Sequence, residues 1–367
     1  MSVRKNISWF LMPLTGWYAV GVALRNFAYN IGLARSEAPR VITIGVGNLA
    51  SGGTGKTPMV EHLAKLLTPH YRVAYLSRGY RRTTKGFVLN EGDPNPLRIG
   101  DEAAMIALRH PQLVVAVCEK RLEGINRLMA LPEPPDVILL DDSYQHRAVV
   151  PSLNILLTEY NRPYYKDYIL PFGDLREFRT ARYRAGIVVV TKSPASLNPI
   201  EKHNIANDLR LKPYQKTFFS YIGYGQPLTL AGQPTEPLSA DTKVLLVTGI
   251  ANPEPLLNEL RKTYKVTHIR FSDHHRYTQR DVATITAAYE RLGGEHRVVL
   301  TTEKDAVKLR SLFAEDGSVP VCYVPIEPLF HPTNEQDMDS VVLSLVRENI
   351  HFLSKLSAST WAEKWHY

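Results

Sequence analysis

The sequence predicts an α/β protein with a doubly wound parallel sheet and a smaller second α/β domain, joined by a β-rich linker. Three observations support this fold class. Short apolar runs alternate with helical stretches in two separate series along the chain. Polar and apolar residues do not alternate within these runs, as they would in a sheet with one face in water. The 367 residues exceed what one hydrophobic core usually organises. Between the two series, Tyr, Phe, Thr and Gly alternate with scattered Pro.

These patterns divide the chain into four segments. We expect an N-terminal helix in residues 1–35, the first sheet domain in 36–212, the linker in 213–240 and the second domain in 241–367. Strands are expected at the apolar runs Val41–Ile44, Val73–Leu76, Leu113–Val117, Val137–Leu140, Asn154–Leu157, Ile187–Val190, Val244–Val247, Val298–Thr301 and Val321–Val324. Helices are expected at Pro58–Leu67, Val282–Leu292 and Ser340–Asn349.

The N-terminal segment has the composition of a membrane-associated helix. Ile7–Leu24 carries no charge and includes four aromatic residues, with Arg4 and Lys5 before it and Arg25 after it. A spanning helix would be at the short limit and is interrupted by Pro13, and a cleaved signal would export the chain. We therefore expect a helix lying in the membrane surface, with cations toward anionic headgroups. The remaining alternative is a helix buried against its own domain.

Charge and cysteine content narrow the class of protein. The sequence has 44 Lys and Arg against 36 Asp and Glu, a formal net charge of +8, which suits an acidic partner such as phosphate, nucleic acid or anionic lipid. Cys118 and Cys322 are far apart and lack a CxxC or His-rich neighbour. Neither a disulfide framework nor a zinc site is supported, and a reducing cytosol fits best.

A phosphate-binding loop follows the first predicted strand. Its residues are Gly52, Gly53, Thr54, Gly55, Lys56 and Thr57. Glycines let backbone N–H groups approach an anion, Lys56 reaches the outer phosphates and the Thr57 hydroxyl can bind Mg²⁺. Ala50 stands where the strict P-loop pattern has Gly, and the paired glycines that follow can supply the lost flexibility. The alternative is a plain glycine-rich turn between a strand and a helix.

An acidic pair ends the predicted strand Val137–Leu140. Asp141 and Asp142 follow it directly, as expected of the acidic partner of a P-loop. Mg²⁺ would be held between Thr57 and one of these aspartates, although two aspartates can also simply end a strand. The first domain is therefore predicted to be P-loop kinase-like, with ATP and Mg²⁺ as cofactors.

Together these motifs resemble the tetraacyldisaccharide 4′-kinase family, the lipid A kinases of Gram-negative bacteria. Asp141–Arg147 is similar to the family signature DDGFQHR, with Ser143 and Tyr144 replacing the commoner Gly-Phe. Gly45–Pro58 resembles the family's form of the P-loop, Ala50 included. Further blocks agree in order: Ser77–Tyr80, Gly100–Ala103, Gly173–Glu177, Asp273–His275 and Thr302–Val307. The resemblance extends to about Leu309.

The resemblance implies a reaction and a location. The γ-phosphoryl group of ATP would pass to the 4′-hydroxyl of an acylated glucosamine disaccharide 1-phosphate, a glycolipid, to give lipid IVA. The reaction would occur at the cytoplasmic face of the bacterial inner membrane. An anionic lipid substrate and an anionic membrane surface match the basic composition and the apolar N-terminus. We expect no nucleic acid and no obligate protein partner.

The resemblance also implies a catalytic pair. Asp101 and His274 would meet across the interdomain cleft, where the carboxylate orients the imidazole and one of the two accepts the hydroxyl proton. Domain closure would then be part of catalysis. His275 is the alternative histidine. Asp101 could instead cap the helix that follows it.

Other charged side chains are candidates for phosphate and metal contacts. Glu177 is a candidate metal ligand beside the aspartates. Arginine pairs bidentately with phosphate, so we expect Arg121 and Arg176 to bind the nucleotide. Less favoured candidates for phosphate contacts are Arg78, Arg81, Arg82 and Lys120.

Two alternatives come from other classes. In a soluble GTPase, Val188–Pro194 would be a strand ending in a guanine-reading NKxD motif, but Pro194 stands where the base-binding Asp belongs. A membrane-bound nucleotide sensor would lack a base that activates an acceptor, whereas Asp101 and His274 are available. Both alternatives are therefore disfavoured.

Overall fold

Two sheets organise the chain in the computed structural model, which describes residues 12–92, 94–273, 275–313, 319–333 and 335–355. The strands are β1 (Ile42–Asn48), β2 (Val73–Ser77), β3 (Val88–Leu89), β4 (Val114–Val117), β5 (Val137–Asp141), β6 (Leu153–Glu159), β7 (Ile187–Thr191), β8 (Lys216–Tyr224), β9 (Leu228–Thr229), β10 (Lys243–Thr248), β11 (Lys265–Arg270), β12 (Arg297–Thr302), β13 (Val321–Val324) and β14 (Ile326–Phe330). The α-helices are α1 (Met12–Asn30), α2 (Lys56–Leu67), α3 (Pro96–Ile99), α4 (Asp101–Arg109), α5 (Arg121–Met129), α6 (Pro199–Leu209), α7 (Glu254–Leu260), α8 (Gln279–Leu292), α9 (Glu303–Leu309) and α10 (Met338–Lys355).

The larger sheet has the strand order β14-β8-β7-β6-β1-β5-β2-β4-β3. It is parallel from β8 to β4, and the edge strands β14 and β3 are antiparallel. Every residue of β1 is buried, because helices cover both faces of the sheet. Ile42 and Ile44 pack in one core with Met59 and Leu63 of α2. From β1 the chain continues to β2 on one side of β1, and from β5 it crosses to β6 on the other side. The carboxyl end of β1 therefore lies at a topological switch point, where the connections run in opposite directions.

The smaller sheet has the order β11-β10-β12-β13-β9, with β9 antiparallel at the edge. Successive side chains of its interior strand β10 point into two different hydrophobic cores. Leu246 packs with residues of α7, and Leu245 and Val247 pack with residues of α8. The second series of apolar runs therefore forms a parallel sheet that is covered on both faces.

The smaller sheet is inserted into the larger domain rather than following it. The chain leaves through β8 and returns through β14, and at the crossing the Gly225 N–H donates to the Pro325 carbonyl at 2.9 Å. Met338, Val342 and Val346 of α10 are buried in the same core as β1. The sequence-based boundaries assigned β8 to the linker and residues 326–355 to the second domain. In the structure these segments belong to the first sheet, because α10 buries its apolar stripe there.

Helix α1 lies on the first domain through polar contacts. Arg25 forms an ion pair with Glu177 at 2.7 Å, and the Tyr18 hydroxyl donates to the Arg176 carbonyl at 3.1 Å. An apolar stripe, 52% to 78% exposed, runs along the helix and one residue past its end at intervals of three and four residues, and it comprises Trp17, Val20, Leu24, Phe27 and Ile31. Within the described ranges, no helix combines the length and apolarity needed to cross a bilayer.

Candidate active site

The glycine loop lies at the switch point of the larger sheet. It leaves β1 after Asn48 and enters α2 at Lys56. Gly52 and Gly55 have φ angles of 115° and 87°, in the left-handed region that favours glycine. The preceding residues are held by the segment 174–176, since the Ser51 N–H donates to the Asp174 carbonyl at 2.7 Å. The loop therefore presents the N-terminus of a twelve-residue helix to an anion.

Residues at the carboxyl end of β7 support the glycine loop through contacts with its backbone carbonyls. The Thr191 hydroxyl donates to the Thr54 carbonyl at 2.9 Å, and the Lys192 ammonium contacts the Gly53 carbonyl and Glu159. These residues lie in the segment that resembles a guanine-reading motif. Sequence reasoning did not connect them with the glycine loop, although a Thr-Lys pair at the end of a parallel strand was the available signal.

Asp142 lies among cations beside the glycine loop. Arg176 binds both of its oxygens, at 3.1 Å and 2.8 Å, and the Lys56 ammonium lies 3.7 Å from Oδ1. Burial acts to raise the pKa of Asp142, but the hydrogen bonds and charge of Arg176 and the charge of Lys56 lower it to about 2. Asp142 is therefore a carboxylate at neutral pH.

Asp141 is a buried carboxyl group with one oxygen left without a partner. The Tyr75 hydroxyl donates to Oδ2 at 2.9 Å, while Oδ1 has no hydrogen-bond partner in the part of the chain that is described. Burial, followed by the charges of Glu102 and Asp142, raises the pKa of Asp141 to about 7. A divalent cation would satisfy the orphaned oxygen and offset this negative charge.

The donors near Asp141 therefore fit Mg²⁺. Carboxylate and hydroxyl oxygens are its preferred ligands, and Thr57 lies one residue into α2. Among the described residues, no three His, Cys, Asp or Glu side chains form a metal-binding group.

Arg121 and Glu177 have partners other than those expected from the sequence. Arg121 is buried, and its guanidinium donates to the carbonyls of Cys118 at 2.6 Å and Asp141 at 3.0 Å. It therefore supports the end of β5. Glu177 is fully buried, and its two oxygens pair separately with Arg25 and Arg184. Its assignment as a metal ligand is not supported, because two arginines occupy the carboxylate and its side chain is fully buried, whereas the side chain of Asp142 is 40% exposed.

The expected catalytic pair is only partly described. Asp101 is the first residue of α4, and the N-cap is Gly100, with a φ of 88°. The adjacent Glu102 lies 3.7 Å from the Lys304 ammonium of the second domain. His274 lies outside the described residues. The His275 ring contacts Asp281 at 3.1 Å and stacks on Phe271, with 4.7 Å between centroids.

The fold and site are typical of a nucleotide-dependent phosphotransferase, with a glycine loop at the switch point of a large parallel sheet and an acidic pair on the neighbouring strand. Residues 7–347 match the family model described as tetraacyldisaccharide-1-P 4′-kinase. The chain belongs to this family.

Curated relatives and a solved structure agree with this assignment. The chain is 41% identical to tetraacyldisaccharide 4′-kinase of Bacteroides fragilis strain YCH46, over 93% of each chain. It is 38% identical to the protein of that name from Flavobacterium johnsoniae, over 93% of this chain and 97% of the relative. A crystal structure described as the apo form of LpxK from Aquifex aeolicus in complex with ATP matches with a TM-score of 0.73 and 26% identity, covering 94% of this chain and 99% of that one. The predicted mixed α/β fold with a large parallel sheet is thus confirmed.

Proposed function

We propose that this chain transfers the γ-phosphoryl group of ATP to the 4′-hydroxyl of a tetraacyldisaccharide 1-phosphate, giving lipid IVA. Family membership across residues 7–347 supports the reaction. The observation that carries it in this chain is the grouping of Lys56, Arg176 and Asp142 beside the glycine loop. Phosphoryl transfer requires mainly positioning and neutralisation of charge, and this group supplies fixed charges of both signs.

The nucleotide phosphates would lie along the glycine loop. Residues 52–57 offer backbone N–H groups, and Lys56 would contact the outer phosphates. Arg176 orients the Asp142 carboxylate at 2.8 Å. Because its guanidinium is also partly exposed, it would contact a nucleotide phosphate from the same position. Thr57, Asp141 and Asp142 would hold Mg²⁺, which neutralises phosphate charge when bound.

The acceptor hydroxyl would lose its proton to the Asp101–His274 pair. Asp101 begins the helix whose next residue contacts Lys304, so this end of α4 faces the second domain. His275 is engaged by Asp281 and Phe271 within the second domain, which favours His274 as the partner of Asp101. The pair would orient the hydroxyl and accept its proton as the phosphoryl group transfers.

The N-terminal helix would hold the enzyme on an anionic membrane. Its exposed apolar stripe has no cover within the described chain, and its polar contacts fix the helix to the catalytic domain. Such a helix can insert into the surface layer of a bilayer without spanning it. We place the reaction at the cytoplasmic face of the inner membrane, where ATP and the lipid acceptor can meet.

A lipid kinase assay tests the proposed function. With ATP and tetraacyldisaccharide 1-phosphate in detergent micelles, the wild type should produce a bisphosphorylated lipid. Lys56→Ala should lower kcat by about 10²–10³-fold, because it removes charge stabilisation at the transferring group. Lys65→Ala is the control on the same helix, since its 3.2 Å ion pair with Glu327 is largely exposed. Near-normal kcat in Lys56→Ala would refute the assigned role of the glycine loop.

A further inference from the structure

A buried arginine joins elements from the two domains. Arg109 is the last residue of α4, and its Nη1 atom lies 2.8 Å from a carboxylate oxygen of Glu61 and 2.8 Å from one of Glu303. Glu61 lies in α2, the helix that follows the glycine loop, and Glu303 is the first residue of α9 in the second domain. These three side chains are at most 13% exposed. The cluster therefore connects α2 and α4 of the first domain with the second domain.

The charge balance in this cluster makes Glu303 the ionic partner of Arg109. Burial, followed by the charge of Glu303, raises the pKa of Glu61 to about 8, so Glu61 is mostly protonated at neutral pH. Burial raises the pKa of Glu303 as well, but the charge and hydrogen bonding of Arg109 oppose that shift. The neighbouring His110 is uncharged, because burial lowers its pKa to about 4. The contact that crosses between the domains is therefore a charged pair.

Apolar side chains enclose this ion pair. Val307 of α9 packs against the core of the first domain, which includes Ile106 and Ala107 of α4. The space beside Arg109 and Glu303 is about 30 Å³, enough for about one or two water molecules and too small for a sugar. Because little water surrounds the pair, its attraction is screened less than that of a surface pair. The two domains therefore meet here in one defined arrangement.

A second ion pair links the same two helices at the other end of α4. Lys304 lies 3.7 Å from Glu102, and both side chains are nearly half exposed. Exposed pairs of this kind contribute little to stability, whereas removing one partner of a buried pair leaves the other charge uncompensated. The Arg109–Glu303 pair should therefore decide how α9 is placed on α4.

The first turn of α9 also holds the segment that follows His274. Asp305 is fully buried and accepts the Gly249 N–H at 2.8 Å, which ties the end of β10 to this turn. Gly249 packs against the residues after His274, since a Cβ added there would lie 3.0 Å from the Tyr277 hydroxyl oxygen and 3.3 Å from the His275 Cβ. The turn that contacts α4 is thus the turn that supports the neighbours of His274.

We propose that Arg109 and Glu303 are positioning residues, whose ion pair holds the second domain where His274 meets Asp101. The inference rests on the proposed function, because that function assigns Asp101 and His274 as the pair that accepts the proton. Neither Arg109 nor Glu303 has a described contact with residues 52–57, so their effect passes through the alignment of the catalytic pair. A misplacement of about 1 Å can cost about 10²-fold in rate.

The kinetics of Glu303→Gln test this proposal. The amide keeps the shape of the side chain but removes the charge that pairs with Arg109. With saturating ATP and tetraacyldisaccharide 1-phosphate in neutral micelles, kcat should fall about tenfold or more. The Kd for ATP should stay within about twofold, because the first domain holds the phosphates. Glu61→Gln is the matched control, since it changes the other carboxyl group on the same arginine but leaves the interdomain pair intact.

A His274→Ala background separates positioning from stability. If Glu303 acts through His274, adding Glu303→Gln to His274→Ala should lower kcat by less than about twofold more. A purely structural role would instead give losses that multiply. Arg109→Lys, which keeps the positive charge, should retain more activity than Arg109→Gln, and this comparison decides the question if Glu303→Gln does not fold.

The contrary results point to different failures. A wild-type kcat in Glu303→Gln overturns the positioning role and leaves the kinase function standing. Equal losses in Glu303→Gln and Glu61→Gln, or equal activities of Arg109→Lys and Arg109→Gln, also overturn it, because neither fits a charged interdomain contact. Losses that multiply with His274→Ala show that Glu303 does not act through this histidine. A wild type that does not phosphorylate the lipid removes the proposed function and this inference with it.

Discussion

Arg176 binds both carboxylate oxygens of Asp142, through Nη1 at 3.1 Å and Nη2 at 2.8 Å. The next residue, Glu177, pairs with Arg25 of α1 at 2.7 Å. Two consecutive residues thus connect α1 with the acidic pair beside the glycine loop. The position of the N-terminal helix and the geometry of the site are therefore coupled through one short segment.

Removing the Arg176 guanidinium should lower turnover. Arg176 binds both oxygens of Asp142 and helps to hold its pKa at about 2, so in Arg176→Ala the carboxylate loses its orienting partner and the pKa should rise toward its ordinary value. Asp142 should nevertheless stay ionised at neutral pH, where kcat should drop about 10–100-fold through the lost positioning and positive charge. Arg179→Ala, whose guanidinium donates to the Asp167 carbonyl, is the control. A near-normal kcat in Arg176→Ala would contradict the role of Arg176.

Asp141→Asn should stabilise the metal-free protein while impairing catalysis. The native pKa of about 7 exceeds the ordinary 3.8, so the folded state favours the protonated carboxyl group. This stabilisation is lost as pH rises from about 4 to about 7, which leaves a buried charge at pH 8. Asn removes that charge and still accepts the Tyr75 hydrogen bond.

Thermal unfolding in EDTA measures this effect. The Tm advantage of Asp141→Asn should be about 2–4 °C or more at pH 8 and should shrink toward pH 5. Its kcat with Mg²⁺ should be about 10²-fold lower than that of the wild type. A Tm difference independent of pH would show that Asp141 does not titrate as the structure indicates.

Charging the apolar stripe of α1 should release the enzyme from membranes. Trp17→Glu and Leu24→Glu each remove an exposed apolar side chain from the inserting face, and each should weaken binding to anionic vesicles about tenfold or more. ATP affinity should stay the same, because α1 does not contact the glycine loop in the described contacts. Vesicle sedimentation measures the change, and Ile200→Glu, an exposed apolar position on α6, is the control. Equal binding of all variants would exclude this stripe as the membrane contact.

The two histidines of the second domain should behave differently. Asp101→Ala and His274→Ala should each lower kcat about 10²–10⁴-fold, and the double variant should be scarcely worse than the worse single one, because the pair acts as a unit. His275→Ala loses its contacts with Asp281 and Phe271, so its main effect should be on Tm. Losses in kcat that multiply would indicate independent roles. A larger kcat loss in His275→Ala would exchange the two assignments.

Local patterns predicted the elements that carry the site, whereas distant partners decided how its side chains are used. The strand, glycine loop and helix around Lys56 follow from adjacent residues, so their order could be read from the sequence. Glu177 could not be assigned this way, because its partner Arg25 lies 152 residues away. The return of α10 to the first sheet was also missed, since an apolar stripe shows that a helix is covered but not which sheet covers it.

The double crossing between the sheets limits how the second domain can swing. Gly225 and Pro325 lie just beyond the paired ends of the antiparallel strands β8 and β14 and are joined by a hydrogen bond, so the connection consists of two paired segments rather than a single tether. Two paired segments bend easily across their shared plane and resist bending within it. The second domain should therefore swing about one preferred axis, bringing Lys304 toward or away from Glu102 along a repeatable arc. Inserting residues into only one of the two connecting segments should change the direction of this motion, whereas equal insertions into both should increase its range.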